Sequence, residues 1–303
     1  MTPGTRRAVG FGLTSLTGLA AFIIIAMLAI ILFNVVENGA GGITWTFLSK
    51  PPEDGMMGGG IFPAIFGTAA LTLLMTVAVM PVGVLTAVYL HEYAPPNSLF
   101  ARIVRVAVVN LAGVPSIVFG LFGLGFFILF VGQGMDRALG HEEMYWAQPG
   151  ILWASLTLAV LTLPVVIVST EEALRAVPMD HRTASLALGA TQSQTLGRVV
   201  LPGALPGILT GAVLAISRGA GEVAPILFTG AAYFLPDLPT HLNSQFMHLG
   251  YHTYVMATQS PDVDATGPLL YSTVLVLLLL TFALNLVAVV IRTRTRRKAA
   301  GAH

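Results

Sequence analysis

The chain has 303 residues, 55% of them hydrophobic and only 10% charged, and it contains no cysteine. A soluble domain of this size carries about a quarter charged residues, so the composition excludes an ordinary soluble protein and places the chain in a bilayer. Without cysteine there is no disulfide framework, thiolate metal site or thiol nucleophile, and a net charge of +1 selects no partner.

Charge-free runs of about 18 residues or more mark the expected spans. The first is Phe11 to Phe33; no A-x-A site follows it, so it reads as a retained anchor rather than a cleaved signal. The Gly- and Pro-rich stretch from Asn34 to Gly60 reads as an irregular, mobile loop. A second span lies within Gly55 to Leu90, and His91-Glu92 beside Tyr93 reads as an interfacial anchor. The third lies within Val106 to Val131, the fourth runs from Ile151 to Thr170, the fifth from Pro206 to Leu235 and the sixth from Pro268 to Ile291. Six spans predict an all-α integral membrane fold. The connection Pro236–Gly267 carries "HLNSQFMHLGYHTYVMA", read as a surface helix, and its His241, His248 and His252 read as exposed residues rather than metal ligands.

Lysine and arginine set the expected orientation. With the N-terminus in the cytoplasm, twelve fall on that side: Arg6, Arg7, Arg102, Arg105, Arg175, Arg182, Arg198, Arg292, Arg294, Arg296, Arg297 and Lys298. Lys50 and Arg137 fall outside. Both termini are therefore expected in the cytoplasm, with a basic tail over 293–303 resting on anionic lipid.

The cytoplasmic connection from Thr170 to Leu205 is too organised for a tether. "EEALRAV" after Thr170 reads as a helix start, its acids suiting the dipole. Pro178 closes that piece, a second helix spans Met179–Leu188, and Gly189 takes the position after its C-terminus. "TQSQTLGRVV" reads as a third short piece. Such a helical protrusion suits either docking or simple packing under the bundle.

"LALGA" followed by "VVLP" resembles the E-A-A loop of ABC-importer permeases. Gly189, Val199, Leu201 and Pro202 keep that motif's spacing, while Thr183-Ala184-Ser185 stands where E-A-A would. With "GGGIFPAIFGTAALTLL", "PVGVLTAVYLHEYAP", "NLAGVPSIVFGLFGLGFF" and "GEVAPILFTGAA", the chain resembles phosphate ABC transporter permeases of the PstA type over about residues 58–292. The resemblance implies a type I importer permease domain over 58–292, after an anchor and loop over 1–57. It implies a coupling loop at 171–205, in which Thr183, Ala184, Ser185, Gly189, Ala190, Leu201 and Pro202 meet an ATPase. It also implies the partners: a sister permease in a heterodimer, two copies of a cytoplasmic ATPase, an external phosphate-binding protein, and a bacterial inner membrane. Neither cofactor, metal nor nucleic acid is expected. The chain lacks a G-x-x-x-x-G-K-[ST] loop, so ATP hydrolysis is expected on a partner.

"ISRGAGEVAPILF" holds Arg218 and Glu222 at i, i+4 inside the fifth expected span. A charge at the bilayer centre costs about 2.5–3.5 kcal/mol on insertion scales, and the spacing permits an ion pair. Gly219 and Gly221 bare the backbone there, and Pro225 cannot donate to the Gly221 carbonyl, so the helix is expected to kink or open at that point. Broken helices at mid-depth are where transporters place substrate, and a guanidinium fork suits an oxyanion. Arg218 and Glu222 are thus the expected substrate-pathway residues. Alternatives are another oxyanion such as molybdate or sulfate, the sister PstC-type subunit, an ion-coupled secondary transporter, or an internal salt bridge that merely pins packing.

Overall fold

The computed structural model of the chain describes residues 3–53, 58–95, 97–141, 143–260 and 263–300. In chain order, α1 (Pro3–Gly39) is followed by a 3-10 turn (Ala40–Gly42), α2 (Trp45–Ser49) and a two-residue antiparallel ladder of β1 (Pro52–Glu53) with β2 (Gly58–Gly59). Next come α3 (Phe62–Val88), closed by a wider π-helical turn (Tyr89–Tyr93), and α4 (Leu99–Ala112). Then α5 (Ser116–Phe122), a π-helical stretch (Gly123–Gly132), α6 (Gln133–Leu139) and α7 (Ile151–Arg175) follow. The rest comprises α8 (Met179–Ala187), α9 (Gln192–Thr195), a π-helical turn (Leu196–Val200), α10 (Leu201–Gly219), α11 (Leu249–Gln259) and α12 (Val263–Ala300).

Six stretches are long and apolar enough to cross a membrane: Gly10–Gly42, Phe62–Tyr93, Ser116–Leu139, Ile151–Arg175, Gln192–Gly219 and Thr266–Thr295. The six expected spans are therefore present, and several of their limits move. Helix α7 continues past Thr170 to Arg175, so Glu171 and Glu172 close a helix rather than start one. A charge ends an apolar run in the sequence; it does not interrupt backbone hydrogen bonding. Glu171 Oε1 lies 3.5 Å from Arg105 Nη2, and its Oε2 lies 3.8 Å from Arg175 Nη2. The run Val106–Val131, expected to hold the third span, is divided, and the span lies wholly after the break: α4 stops at Ala112 and α5 starts after Pro115. Proline lacks an N–H and disfavours helical backbone in the residue before it, here Val114.

The Asn34–Gly60 stretch is more regular than its composition suggests. Helix α1 carries it to Gly39, and the Thr44 hydroxyl caps α2 by accepting from Phe47 N at 3.1 Å. Its residues 54–57 lie outside the described ones.

The centre of the bundle is α3, α7 and α10. Leu71, Met75 and Val79 of α3, Leu158 and Val166 of α7, and Ala215 of α10 share one buried cluster. Small residues let α10 approach α7 closely: a Cβ added at Gly207 would strike Ala173, and one added at Gly211 would strike Ser169. Helix α12 packs on α10, α11 and α1. Helix α1 stays at the edge, with nearly all of its apolar surface exposed.

Candidate functional site

Helix α10 ends at Gly219, between the two charges that the sequence places on one helix. Arg218 occupies its last turn, and Glu222 is the first residue beyond the turn formed by Ala220 and Gly221. The helix opens before Pro225, as expected, but by ending at Gly219, so the expected span end at Leu235 is corrected. Glycine is a poor helix former at Gly219 and Gly221, and Pro225 cannot supply the N–H that an extended helix would need. The backbone tightens instead: Gly221 N donates to Arg218 O at 3.3 Å, and Glu222 N donates to Gly219 O at 3.4 Å.

The stop lies deep in the bundle. A Cβ added at Gly219 would strike the Met75 sulfur, and Met75 is the middle residue of the 27-residue α3. Irregular backbone at such depth is tolerated only where protein satisfies it, and here it does. Ile226 is fully buried, and its carbonyl accepts from Gly230 N and Ala231 N at 3.1 and 3.0 Å. The buried Thr229 hydroxyl donates to Pro225 O at 3.0 Å and stabilises the turn. Ala232 N then donates to Phe246 O at 2.8 Å, closing a bridge between Ala231 and Phe246.

Arg218 Nε and Glu222 Oε1 stand 3.5 Å apart, with the side chains 37% and 20% exposed. The pair is therefore formed but long for a charge-assisted hydrogen bond, and half-open rather than sealed. Beside it, Ser217 Oγ donates to Asn285 Oδ1 of α12 at 2.6 Å, which ties the end of α10 to the last span. A guanidinium held at a helix break, with glycine backbone around it and a carboxylate at loose range, can exchange that carboxylate for a small oxyanion.

At the far end of the bundle, α8 covers Met179–Ala187, close to the expected Met179–Leu188. Gly189 has φ +86, the left-handed conformation that lets the chain reverse after α8. Thr191 then opens α9 with a capping box: its hydroxyl accepts from Gln194 N at 3.3 Å while Gln194 Oε1 accepts from Thr191 N at 2.9 Å. The expected third piece is not separate, because α9 runs through the π turn into α10. Ser185 Oγ and Thr195 Oγ1, 2.9 Å apart, join α8 to α9. Thr183 and Ala184 face outward, and Thr183 Oγ1 donates back to Asp180 O at 3.1 Å. Met179, Leu186 and Leu188 are exposed, Leu188 to 90%. Leu201 packs against the buried cluster that includes Leu174, Val177 and Val200, Pro202 is exposed, and Ala190 is half-buried.

Sequence reading missed a second charged cluster. Glu92, expected as an interfacial anchor, is only 11% exposed and grips Arg182 of α8. Arg182 Nη1 lies 2.6 and 2.8 Å from the two Glu92 oxygens, and Nη2 donates to Leu174 O of α7 at 2.7 Å. The only signal in the sequence was an acid at the end of a span and an arginine before the coupling motif; nothing in their spacing of 90 residues joins them.

The histidine expectation is also overturned. His248 is the N-cap of α11 and is fully buried, and His252, one turn on, is 4% exposed. Burial holds their pKa values at about 3 and about 4, so both are neutral. His241 is exposed, as expected. Among the described residues no group of three or more His, Cys, Asp or Glu could hold a metal.

Residues 80–298 match the family described as binding-protein-dependent transport system inner membrane component. The chain is 33% identical over 276 residues to the phosphate transport system permease protein PstA 1 of Mycobacterium tuberculosis H37Rv, covering 88% of this chain and 83% of that one. It is 35% identical over 216 residues to the probable ABC transporter permease protein YqgI of Bacillus subtilis, covering 71% and 68%. Among solved structures it resembles a bacterial alginate ABC transporter in complex with an alginate pentasaccharide-bound periplasmic protein, with TM-score 0.63 at 16% identity over 97% of this chain and 96% of that one. The MetNI methionine ABC transporter in an inward-facing conformation matches with TM-score 0.57 at 20% identity, over 77% and 94%. These neighbours give the fold, that of type I ABC importer permeases. Six spans, a helix that stops beside the middle of α3 and a helical protrusion at one end are together the build of a multi-pass transport component, and the chain belongs to the binding-protein-dependent transport system inner membrane component family.

Proposed function

We propose that this chain is the membrane-spanning permease subunit of an ATP-driven phosphate importer and forms half of its translocation pathway. The observation that carries this reading is the stop of α10 at Gly219, which leaves Arg218 and Glu222 as a loose, half-open pair at 3.5 Å halfway along α3. The substrate class rests on the phosphate permeases it resembles. The charge distribution of the loops supports an N-terminus in the cytoplasm, with α8 on that side. The exposed Met179, Leu186 and Leu188 around the Gly189 turn would dock a cytoplasmic ATPase, present in two copies. A sister permease would complete the pathway, and an external phosphate-binding protein would deliver substrate at the opposite end. ATP is hydrolysed on the ATPase.

The chemistry follows from the pair. With the pathway empty, Glu222 neutralises Arg218. An arriving phosphate offers the guanidinium two oxygens at once, a bidentate match that one carboxylate oxygen at 3.5 Å does not equal. Released from Arg218, the Glu222 carboxylate accepts a hydrogen bond from the protonated phosphate oxygen. Fully ionised sulfate has no proton to donate and leaves that carboxylate facing an anion. When the phosphate departs, Glu222 returns to Arg218, which keeps the anion from sticking.

The test is uptake of labelled phosphate by the assembled transporter. Arg218→Ala should lower it by about 10–100-fold, the loss of a charge-assisted contact. Normal uptake would end the pathway role. Glu222→Gln should narrow the preference for phosphate over sulfate and molybdate in competition assays, and an unchanged preference would remove the proton-reading role.

A further inference from the structure

The second charged cluster joins parts that the motif spacing leaves apart. Glu92 sits in the π-helical turn that ends α3, and such wide turns recur at functional positions. Its carboxylate receives Arg182 Nη1 on both oxygens and His91 Nδ1 at 2.9 Å, while its backbone carbonyl accepts from Gln192 Nε2 at 3.1 Å. One residue of α3's end thus holds α8 through Arg182 and α9 through Gln192. The second arm of the guanidinium binds Leu174 O near the end of α7. Arg182 and Glu92 are 13% and 11% exposed, so solvent and salt screen the pair weakly. By contrast the other ion pairs at this end are looser: Arg105 and Arg175 reach Glu171 at 3.5 and 3.8 Å from side chains 48% and 63% exposed.

From the π-helical turn that holds Glu92, the chain leads back along α3 to Met75, which abuts Gly219 at the stop of α10. Pro81 lies on the way, inside the helix, and Gly83 packs against Val166 of α7. The chain of contacts from the protrusion to the Arg218–Glu222 pair therefore passes through one ionic joint and one continuous helix.

We propose that Arg182 and Glu92 form a positioning clamp that makes α8 and α3 move as one body, so that displacement of α8 by the ATPase is delivered to the α10 stop. This rests on the reading of α8 as the ATPase dock. The guanidinium is suited to the role because its two arms, at fixed separation, hold the Glu92 carboxylate and Leu174 O at once, which fixes direction as well as distance. A lysine, with all its donors on one nitrogen at the end of a flexible stem, lacks that rigid second arm.

The experiment uses the complete transporter in proteoliposomes and reads phosphate carried per ATP hydrolysed, along with ATPase retained on purification. Glu92→Gln keeps shape and volume; Arg182→Ala removes the fork. Both should keep the ATPase bound and hydrolysing, while phosphate carried per ATP falls by about tenfold, within the usual range of a coupling between two sites. The double variant should be no worse than Arg182→Ala, since both remove one interaction. Unchanged phosphate per ATP in both single variants overturns the proposal. So does a proportional fall of uptake and hydrolysis with loss of bound ATPase, which would make the pair a support for docking alone. A native chain that retains no ATPase overturns the dock reading itself, a failure visible before any variant is made.

Discussion

Arg218 stands out in the sequence because the flanking residues are uncharged, and its partner four residues on follows from helical spacing. The sequence does not show that the helix stops between them. Whether Gly219 and Gly221 bend a helix or end it depends on what receives the chain next, and here a buried turned segment does. His248 and His252 went the other way: a polar-looking connection suggested exposure, and tertiary packing buried them. His248 Nδ1 accepts from Gly250 N at 3.1 Å, while His248 Nε2 and His252 Nδ1 meet no hydrogen-bond partner among the described residues. Their folded pKa values of about 3 and about 4 lie below the ordinary 6.5. The unfolded chain therefore binds protons first, and stability is complete above the ordinary value and lost as pH falls below it. Between about pH 6.5 and about pH 4 the loss should approach 1.4 kcal/mol per pH unit for each histidine. Thermal unfolding of purified protein across that range checks this, and replacing both residues by glutamine should flatten the slope. An equally steep slope in the double variant would show that other groups titrate there.

At the scale of elements, the start of α7 shows what a loop can do for a helix. The first N–H groups of a helix lack intrahelical partners. Here Gly150, Ile151 and Leu152 donate to the carbonyls of Thr229, Ser244 and Leu242, each at 2.9 Å. The irregular segment after the α10 stop thus serves as the cap of the most buried span. The backbones come this close because two glycines allow it: a Cβ at Gly150 would lie 2.6 Å from Asn243 O, and one at Gly230 would lie 2.6 Å from Gly150 O. Gly150→Ala or Gly230→Ala should destabilise the protein by about 1–3 kcal/mol through overpacking. Amide exchange should quicken first in the opening turn of α7. Gly125→Ala is the control, since a Cβ there meets nothing within 4 Å. Protection equal to that of the control would mean that the loop follows the helix without supporting it. Span positions were legible from apolar runs because a bilayer demands them. Span limits were less so: a charge marked the end at Thr170 while α7 continued, and Pro115 split an apolar run read as whole.

For the whole molecule, orientation is the property that lysine and arginine predict and that a chain in isolation does not display. The absence of cysteine makes the test clean. With this chain expressed without the ATPase, a single cysteine at Leu188, which is 90% exposed beside the Gly189 turn, should resist a membrane-impermeant maleimide in intact cells and react once the membrane is opened. A cysteine at Leu242, 47% exposed at the opposite end, should react from outside in both. The reverse pattern would invert the topology and with it the dock reading. Helix α1, bound at its end through Ser272 Oγ donating to Gly39 O at 2.9 Å, leaves most of its apolar surface uncovered by this chain.

The sequence by itself determined the membrane class, the number of spans, the Gly189 turn and the presence of an ion pair in an apolar segment. Each of these rests on local chemistry: transfer of side chains into lipid, left-handed backbone at glycine, charge at helical spacing. Only the tertiary structure decided where α10 stops, that the histidines of α11 are buried, and that Glu92 holds Arg182 across 90 residues of chain. Those outcomes depend on which surfaces meet, and a buried polar or charged group is stable only beside partners that the fold, not the neighbouring sequence, brings to it.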